Sequence, residues 1–396
     1  MNSLKERIKV CVLLLLVAGV VVWLRFSLVA RAQGPAMSNS GASSSAATWR
    51  PNRADAKYAG AQACAKCHVE EAGSQHSTAM GRALEPAQTS EVLRSNPRLT
   101  FRAGPYSYEI VRRGEQSIYT VTDGANTISE PIAYSFGQGK AGQTYVFLHN
   151  GSFYESRVSF YRDIKGLDWT MGYPRDVPPS LDVAAGRLMS TDEARNCFSC
   201  HSTAATDAAQ LRLERLIPGV TCEACHGPGA EHIAAMEAKK FEDKKIFNPG
   251  KMSPDELSQD FCGSCHRSAE QVMANRMLRG IVSVRFQPYR IFTSKGHDPA
   301  DVRMTCTACH NPHENPKQDE AFYDGKCFVC HRSAESLKSE KVAKAETDAG
   351  RTDKACPVAA RLCVSCHMPK VEIPGSHFQF TDHRIRIARP NEPFPN

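Results

Sequence analysis

The sequence predicts a mainly α and irregular fold that is wrapped around bound groups, with a small antiparallel β-meander inserted into it. Three observations lead to this prediction. The motif C-x-x-C-H occurs seven times in the 396 residues. Six of the motifs start within positions 197–363, and the segments between them are too short to build separate apolar cores. One stretch ahead of those six, 99–165, has the composition of β-strands.

The seven motifs share one spacing, in which two cysteines are separated by two residues and a histidine directly follows the second cysteine. The cysteine pairs are Cys64 and Cys67, Cys197 and Cys200, Cys222 and Cys225, Cys262 and Cys265, Cys306 and Cys309, Cys327 and Cys330, and Cys363 and Cys366. The histidines that follow are His68, His201, His226, His266, His310, His331 and His367. Histidine is only 14 of the 396 residues, so chance does not explain seven such coincidences.

Three other uses of paired cysteines fit this pattern poorly. Zinc ribbons need ligands in fours and have no reason to place histidine after every pair. Dithiol redox motifs occur singly, and an even cysteine count indicates a disulfide framework mainly in short secreted chains. C-x-x-C-H is instead the attachment motif of c-type haem, in which both thiols form thioethers and the histidine is the proximal iron ligand. The sequence therefore predicts seven covalently attached c-type haems.

The N-terminal residues 1–32 have the features of a signal peptide or an N-terminal membrane anchor. A basic start is followed by fifteen apolar residues, Val10 to Leu24, and by a possible cleavage site at Ala30-Arg31-Ala32. Because a membrane span typically takes about 20 residues, a cleaved signal peptide is favoured over a tether formed by residues 10–30. With either alternative we expect a periplasmic protein, since the folded body is exported.

The remaining chain divides by composition. Residues 33–56 are rich in Ser, Ala and Gly and are typical of a flexible linker. A first haem-binding segment is expected at 57–98, a β-rich insert at 99–165 and a six-haem cytochrome region at 166–396. In the insert we expect four to six strands, with the turn of one hairpin at Asn150-Gly151.

The formal net charge of +7 does not indicate a nucleic-acid partner. Residues 1–32 hold five basic and one acidic side chain, so the exported part carries only about +3. Each haem adds two propionates, and the modest basic excess offsets those carboxylates.

Seven histidines lie outside the motifs, one for each haem. We expect six of them to be distal iron ligands, because a second imidazole on each iron gives bis-histidine ligation. These are His76, His232, His297, His313, His377 and His383. His232 follows a Gly-Pro-Gly turn and is expected to serve a different haem from that of its own motif. His149 lies in the β-rich insert and is expected on the surface, and a methionine ligand such as Met80 or Met368 is a less favoured alternative.

Four stretches carry a resemblance to a known superfamily. They are YAGAQACAKCH followed by His76, GVTCEACHGPGAEH at 219–232, CTACHNPH at 306–313, and CVSCHMP followed by His377 and His383. With them the chain resembles the multihaem cytochrome c superfamily that contains the tetrahaem cytochrome c-554, hydroxylamine oxidoreductase and the pentahaem nitrite reductase. The resemblance implies a multihaem cytochrome c fold wrapped around stacked haems, and motifs starting at 197 and 222, or 306 and 327, are candidates for stacked pairs. The insert and the count of seven depart from that superfamily.

Two functions remain open from the sequence. An electron carrier would pass electrons between a membrane quinol-oxidising complex and a terminal reductase or other extracytoplasmic acceptor, after assembly by the cytochrome c maturation machinery. A scaffold subunit that docks through the β-rich insert is compatible with this role. The alternative is an oxidoreductase that acts on a small nitrogen or sulfur compound at a haem with an open axial position. The sequence identifies no catalytic residue, so the number of distal ligands discriminates between the two functions.

Overall fold

The computed structural model describes residues 57–207, 210–299, 301, 303–329, 331, 356 and 361–395. The predicted signal peptide or anchor at 1–32 and the linker at 33–56 lie outside these residues, as does Cys330. Within the described ranges, no helix has both the length and the apolar character that a bilayer crossing requires.

A nine-stranded antiparallel sheet is the largest element of the described chain. Its strands are β1 (Leu84–Pro86), β2 (Arg98–Ala103), β3 (Tyr106–Arg113), β4 (Gln116–Thr122), β5 (Thr127–Phe136), β6 (Gln143–His149), β7 (Ser152–Tyr161), β8 (Gly166–Trp169) and β9 (Gly186–Leu188). Strands β2 to β8 are neighbours in chain order, while β1 pairs with β5 and β9 pairs with β7. The expectation of a mainly α and irregular fold with only a small meander is therefore wrong.

The sheet has its own apolar core, which explains why it is larger than a short insert. Alternate residues of β3 face inward, including Tyr108 and Ile110, and they pack with Phe147 and Trp169 from later strands. Irregular register between β5 and β6, and between β6 and β7, marks β-bulges. Bulges bend and twist a sheet, and here β2 and β8 at the two ends of the strand order lie against each other.

The predicted turn at Asn150-Gly151 is confirmed. His149 pairs with Ser152, and the two residues between them have φ of 50° and 75°. Positive φ at both central positions defines the tight hairpin turn whose twist matches that of the flanking strands.

Short helices lie before, between and after the strands of the sheet along the chain. They are α1 (Ala61–Cys64), α2 (Val69–Gln75), α3 (Glu91–Ser95), α4 (Leu181–Ala185), α5 (Thr191–His201), α6 (Cys222–His226), α7 (Ala230–Glu237), α8 (Gly263–His266), α9 (Ala269–Ala274), α10 (Gln287–Phe292), α11 (Cys306–Cys309), α12 (Glu320–Cys327) and α13 (Cys363–His367). A π-helix, Glu256–Cys262, precedes α8. Single 3-10 turns lie at Leu213–Arg215, Pro249–Lys251, Arg276–Leu278 and Gly280–Arg285. Two small ladders pair β10 (Ser202–Thr203) with β11 (Ile217–Pro218), and β12 (Lys370–Glu372) with β13 (Gln379–Thr381).

Helix α5 fastens the second motif to the sheet. Its N-terminus carries a capping box in which Ser190 and Glu193 bond to each other's backbone N–H groups. Phe198, between the two motif cysteines, is fully buried, and its ring lies 5.0 Å from that of Tyr134 and 5.3 Å from that of Phe136. The outer face of β5 thus positions one haem motif.

Candidate haem-binding sites

Each described motif folds as about one helical turn. In the first motif, for example, the backbone N–H of His68 donates to the carbonyl of Cys64 at 2.9 Å, and in the fifth His310 donates to Cys306 at 3.0 Å. Residues three and four apart lie on the same side of such a turn. The two thiols and the imidazole therefore face one side, which is the arrangement that covalent haem attachment with a proximal histidine needs.

Backbone carbonyls select the tautomer of several motif histidines. The Nδ1 atom of His201 lies 3.1 Å from the carbonyl of Ala83, and the Nδ1 of His226 lies 3.0 Å from that of Phe247. A carbonyl only accepts, so each ring must donate from Nδ1 and keep the lone pair of Nε2 for a metal. The Nδ1 of His367 is placed in the same way by the carbonyl of Arg386, at 3.0 Å.

Three motif histidines each face a histidine from elsewhere in the chain. The ring centres of His68 and His232 are 6.4 Å apart, those of His226 and His313 are 6.2 Å apart, and those of His310 and His383 are 6.2 Å apart. A metal–imidazole bond is about 2.0–2.1 Å and the ring nitrogen lies about 1.1 Å from the ring centre, so two imidazoles on opposite sides of one metal have centres about 6.3 Å apart. The three observed distances match this value.

The paired histidines come from segments that follow other motifs. His232 lies in α7, just after the third motif, but it faces His68 of the first motif. His313 follows the fifth motif and faces the third, and His383 follows the seventh and faces the fifth. Each of these contacts joins parts of the chain that are far apart in sequence.

Burial favours the metal-binding form of three of the paired imidazoles. Burial lowers the pKa of His383 to about 4, and it also lowers the pKa of His310 and His313. A neutral imidazole has a free lone pair for coordination, whereas a protonated one does not. The Nδ1 atoms of His232 and His383 lie 2.6 Å from the carbonyl of Lys244 and 3.0 Å from that of Thr381, which leaves the lone pair of Nε2 available for a metal.

The other candidate distal histidines have different surroundings. The Nδ1 of His76 lies 3.1 Å from the carbonyl of Ala72, and the ring of His297 packs beside that of Phe292 at 5.4 Å. The Nε2 of His377 lies 2.7 Å from the carboxylate of Asp168 on β8. The structure therefore brings three of the six candidates, His232, His313 and His383, opposite a motif histidine.

His149 is held within the sheet. Its Nδ1 atom lies 2.8 Å from the carboxylate of Glu130, and its ring packs edge-on against Tyr154. These contacts place His149 in a strand pair that carries no haem motif.

Thiols from motifs that are distant in sequence come close together. Cys64 of the first motif contacts Cys222 of the third, and burial together with this neighbour raises the pKa of Cys64 to about 11. Burial raises the pKa of Cys363 to about 12, with Asp324 and Cys327 of the sixth motif contributing. Cys262 and Cys306 form a third contact, which joins the fourth and fifth motifs. Adjacent motif helices of this kind would bring their haems close to each other.

A buried carboxylate inside the third motif was missed in the sequence. Glu223 is 3% exposed and accepts hydrogen bonds from the backbone N–H groups of Ala59, Gly60 and Gly229 at 2.7, 2.8 and 2.7 Å. Gly60 directly precedes α1, which carries Cys64, and Gly229 directly precedes α7, which carries His232. The only available signal was the acidic residue between two motif cysteines, a position that the motif leaves open.

Two cations beside the second and fourth motifs suit the propionates of haem. The Nε atom of Arg285 is buried and has no hydrogen-bond partner among the described residues. The neighbouring guanidinium of Arg267 adds to the burial that lowers the pKa of Arg285, and Arg267 also lies near Cys197. Neighbouring cations of this kind are stabilised by an anionic group. The donor set and this charge both fit c-type haem.

Sequence comparison with known proteins supports this assignment. Residues 181–227, which include the second and third motifs, match the family model described as cytochrome c554 and c-prime. The chain is 24% identical over 237 residues to the multiheme cytochrome MtrA of Shewanella baltica (strain OS185), a match over 55% of this chain and 57% of that protein. The crystal structure of the outer cell wall cytochrome OcwA aligns with a TM-score of 0.47 and 16% identity, over 83% of this chain and 79% of that one.

The motifs and the sequence matches together support placing the chain among the multihaem c-type cytochromes, whose cofactor is covalently bound c-type haem. The match spans little more than half of the MtrA sequence.

Proposed function

We propose that the chain is an electron-transfer protein that carries seven c-type haems, of which at least three have bis-histidine ligation. The three histidine pairs at 6.2–6.4 Å carry this proposal. An iron with two imidazole ligands has no open position for a substrate, and it can still exchange electrons. The protein then contributes the placement, burial and electrostatics of the cofactors.

The assignment of ligands follows from the same pairs. The fourteen motif cysteines would form the thioethers and the seven motif histidines would be proximal ligands. In this proposal His232 completes the iron of the first motif, His313 that of the third and His383 that of the fifth. Neighbouring motifs, such as the one with Cys64 and the one with Cys222, would then give short steps for electrons between haems.

The location and the partners are part of the proposal. The N-terminal residues 1–32 support export, and attachment would use the cytochrome c maturation machinery. In the periplasm the protein would take electrons from a membrane quinol-oxidising complex and pass them to a terminal reductase or acceptor. The domain organisation proposed from the sequence, with a six-haem region at 166–396, is consistent with a chain of closely spaced haems.

The replacement His232→Ala tests the ligand assignment. It should convert about one haem in seven from low-spin to high-spin in the electron paramagnetic resonance spectrum of the ferric protein, since His68 loses its facing imidazole. His149→Ala is the matched control, because His149 contacts Glu130 and no motif. A high-spin fraction of His232→Ala equal to that of the unmodified protein, at unchanged haem content, would remove His232 from the ligands.

A second function is favoured by one specific observation. His149 lies in a strand pair that carries no haem motif, and the Nε2 atom of His377 is bonded to Asp168, so after the three facing pairs His76 and His297 are left for the four other motif histidines. At least two irons would then lack a second histidine. Such a haem could bind and reduce or oxidise a small nitrogen or sulfur compound, with the neighbouring Arg267 and Arg285 favouring an anion.

Carbon monoxide distinguishes the second function from the first. It binds ferrous haem only where an axial position is open or weakly held. If enzyme chemistry occurs at such a haem, the reduced protein should show a carbon monoxide shift of about two haems in seven. An unchanged spectrum would refute the second function and leave electron transfer intact.

A further inference from the structure

The C-terminal residues 368–395 form a segment that carries His383 to its position opposite His310. We call this the C-terminal strap. It contains the ladder of β12 and β13, and His383 follows β13 by two residues. His383 lies outside the helices and strands, so contacts from other elements must hold its backbone in place.

A buried ion pair anchors the strap directly beside His383. Arg290 of α10 donates from Nε to one carboxylate oxygen of Asp382 at 2.8 Å and from Nη2 to the other at 2.9 Å. Both side chains are 0% exposed. The guanidinium also donates from Nη1 to the carbonyl of Pro395 at 2.8 Å and lies 4.5 Å from the ring centre of Phe394. One arginine thus holds the strap on both sides of His383.

Further hydrogen bonds immobilise the backbone around His383. Asp382 accepts from the backbone N–H of Arg384 at 3.0 Å. Ser294, which lies just after α10, donates to the carbonyl of His383 at 3.3 Å and accepts from the N–H of Ile385 at 2.8 Å. The residues before and after His383 are therefore held by the same part of the chain.

A second contact holds the strap at its other end. The carboxylate of Asp168 on β8 accepts a hydrogen bond from Nε2 of His377 at 2.7 Å and another from Nη2 of Arg175 at 2.9 Å. The ring of His377 packs against Tyr161 at 4.9 Å. The nine-stranded sheet thereby restrains the strap six residues before His383.

Stability alone is a weak reason for a fully buried ion pair. The cost of removing two charges from water is often as large as their attraction, and apolar replacements of similar size are frequently neutral or stabilising. A planar guanidinium that binds a carboxylate through two parallel bonds does, however, define position and angle. Axial ligands in metal sites depend on such supporting contacts for their orientation.

We propose that Arg290 is a positioning residue that, through Asp382, holds His383 on the iron of the fifth haem. This proposal rests on the proposed function, because it takes His383 to be the distal ligand of that iron. In this proposal Arg290 acts on His383 through its two bonds to Asp382. Because Arg290 belongs to α10, its bonds to Asp382 fix the neighbouring His383 relative to that helix.

The test uses the full-length, haem-loaded protein and compares three variants. Arg290→Lys keeps the charge but cannot bind both carboxylate oxygens, so it should fold and raise the high-spin fraction by part of one haem in seven. His383→Ala gives the reference value for a complete loss of the ligand. Arg303→Met is the control, since Arg303 makes an equally short two-point contact with Asp301 near the same motif, but in a pair that is only partly buried.

The readouts are the high-spin fraction, the haem content and the far-ultraviolet circular dichroism of the sheet. The proposal is supported if Arg290→Lys gains high-spin haem with unchanged haem content and sheet signal, while Arg303→Met does not. It is overturned if Arg290→Lys has the same high-spin fraction as the unmodified protein although His383→Ala has a larger one. If His383→Ala itself shows no increase, the ligand assignment under the proposed function fails instead.

Should Arg290→Lys lose its fold, Ser294→Ala gives the decision, because it removes the hydroxyl that holds the backbone of His383 and Ile385 without creating a buried charge. The proposal then remains supported only if Ser294→Ala raises the high-spin fraction of a fully haem-loaded protein above that of the unmodified protein. A folded Ser294→Ala protein with an unchanged high-spin fraction would overturn the positioning of His383 by this part of the chain.

Discussion

Replacing Glu223 tests whether one buried carboxylate holds two haem-binding segments together. Its oxygen Oε1 accepts from Ala59 and Gly229, and Oε2 accepts from Gly60. Glu223→Ala removes all three acceptors. Glu223→Gln keeps an oxygen that can accept two of the bonds, but its amide N–H₂ then faces the N–H of Gly60.

The two replacements should therefore lower the free energy of unfolding by different amounts. A hydrogen bond to a charged group contributes about 1.5–3 kcal/mol, and a buried donor left without a partner costs about 1–3 kcal/mol. The Gly229 bond is buried, whereas the other two are partly buried and their donors can reach water. We expect Glu223→Gln to lower the free energy of unfolding by about 2 kcal/mol and Glu223→Ala by about 4 kcal/mol.

Urea unfolding followed by circular dichroism measures this difference. Glu237→Ala is the control, since Glu237 is exposed on the same helix as His232 and should change the free energy of unfolding by at most about 0.5 kcal/mol. Glu223→Ala should also raise the high-spin fraction, because the segments that carry Cys64 and His232 are both released. Equal free energies of unfolding for Glu223→Ala and Glu237→Ala would show that Glu223 does not hold the two segments together.

Two further predictions concern the support of other motifs. Glu193→Ala should remove the capping box of α5 and cost about 1 kcal/mol in urea unfolding at neutral pH. The backbone N–H of Ser190 holds the pKa of Glu193 below its usual value. The stabilisation by Glu193 is therefore fully present above the unfolded pKa of about 4.3 and is lost as the pH falls through the folded pKa. If the cost of Glu193→Ala stays constant down to a pH of about 3, this prediction is contradicted. Asp324→Asn should weaken the first turn of α13, since Asp324 accepts from the N–H groups of Leu362 and Cys363 at 2.8 Å each. Amide hydrogen exchange at Leu362 and Cys363 should become about 10-fold faster, as a loss of about 1.4 kcal/mol implies, and unchanged protection would exclude the contact as a support.

The haem motifs could be recognised from the sequence because their chemistry is local. Two thiols and an imidazole must lie on one helical turn, so the spacing of Cys222, Cys225 and His226 is enough to identify the motif. The partner of each imidazole depends on tertiary structure. Nothing near His232 in the sequence indicates His68, which lies directly before α2 and more than 160 residues away.

The sheet shows the same limit. Alternation in segments such as β3 indicated strands, but β1 and β9 have three residues each and are too short to display a pattern. They become strands because β5 and β7 offer them free edges, and the sheet then gains an apolar core of its own. The sheet is therefore larger than the small meander that the sequence predicts, and the predicted fold class is wrong.

Long-range ion pairs were beyond reach for a related reason. Arg290 and Asp382 are separated by 92 positions, and neither residue lies in a motif. An arginine or aspartate in a sequence is most often solvated. Only their complete burial beside His383 distinguishes this pair from the many charged residues at the surface.

The most direct test of bis-histidine ligation is the count of spin states in the ferric protein and in His232→Ala, His313→Ala and His383→Ala. Three bis-histidine haems predict that each replacement adds about one high-spin haem in seven and that the three effects add in the triple variant. A triple variant with the same high-spin fraction as the unmodified protein, at full haem content, would exclude His232, His313 and His383 as iron ligands.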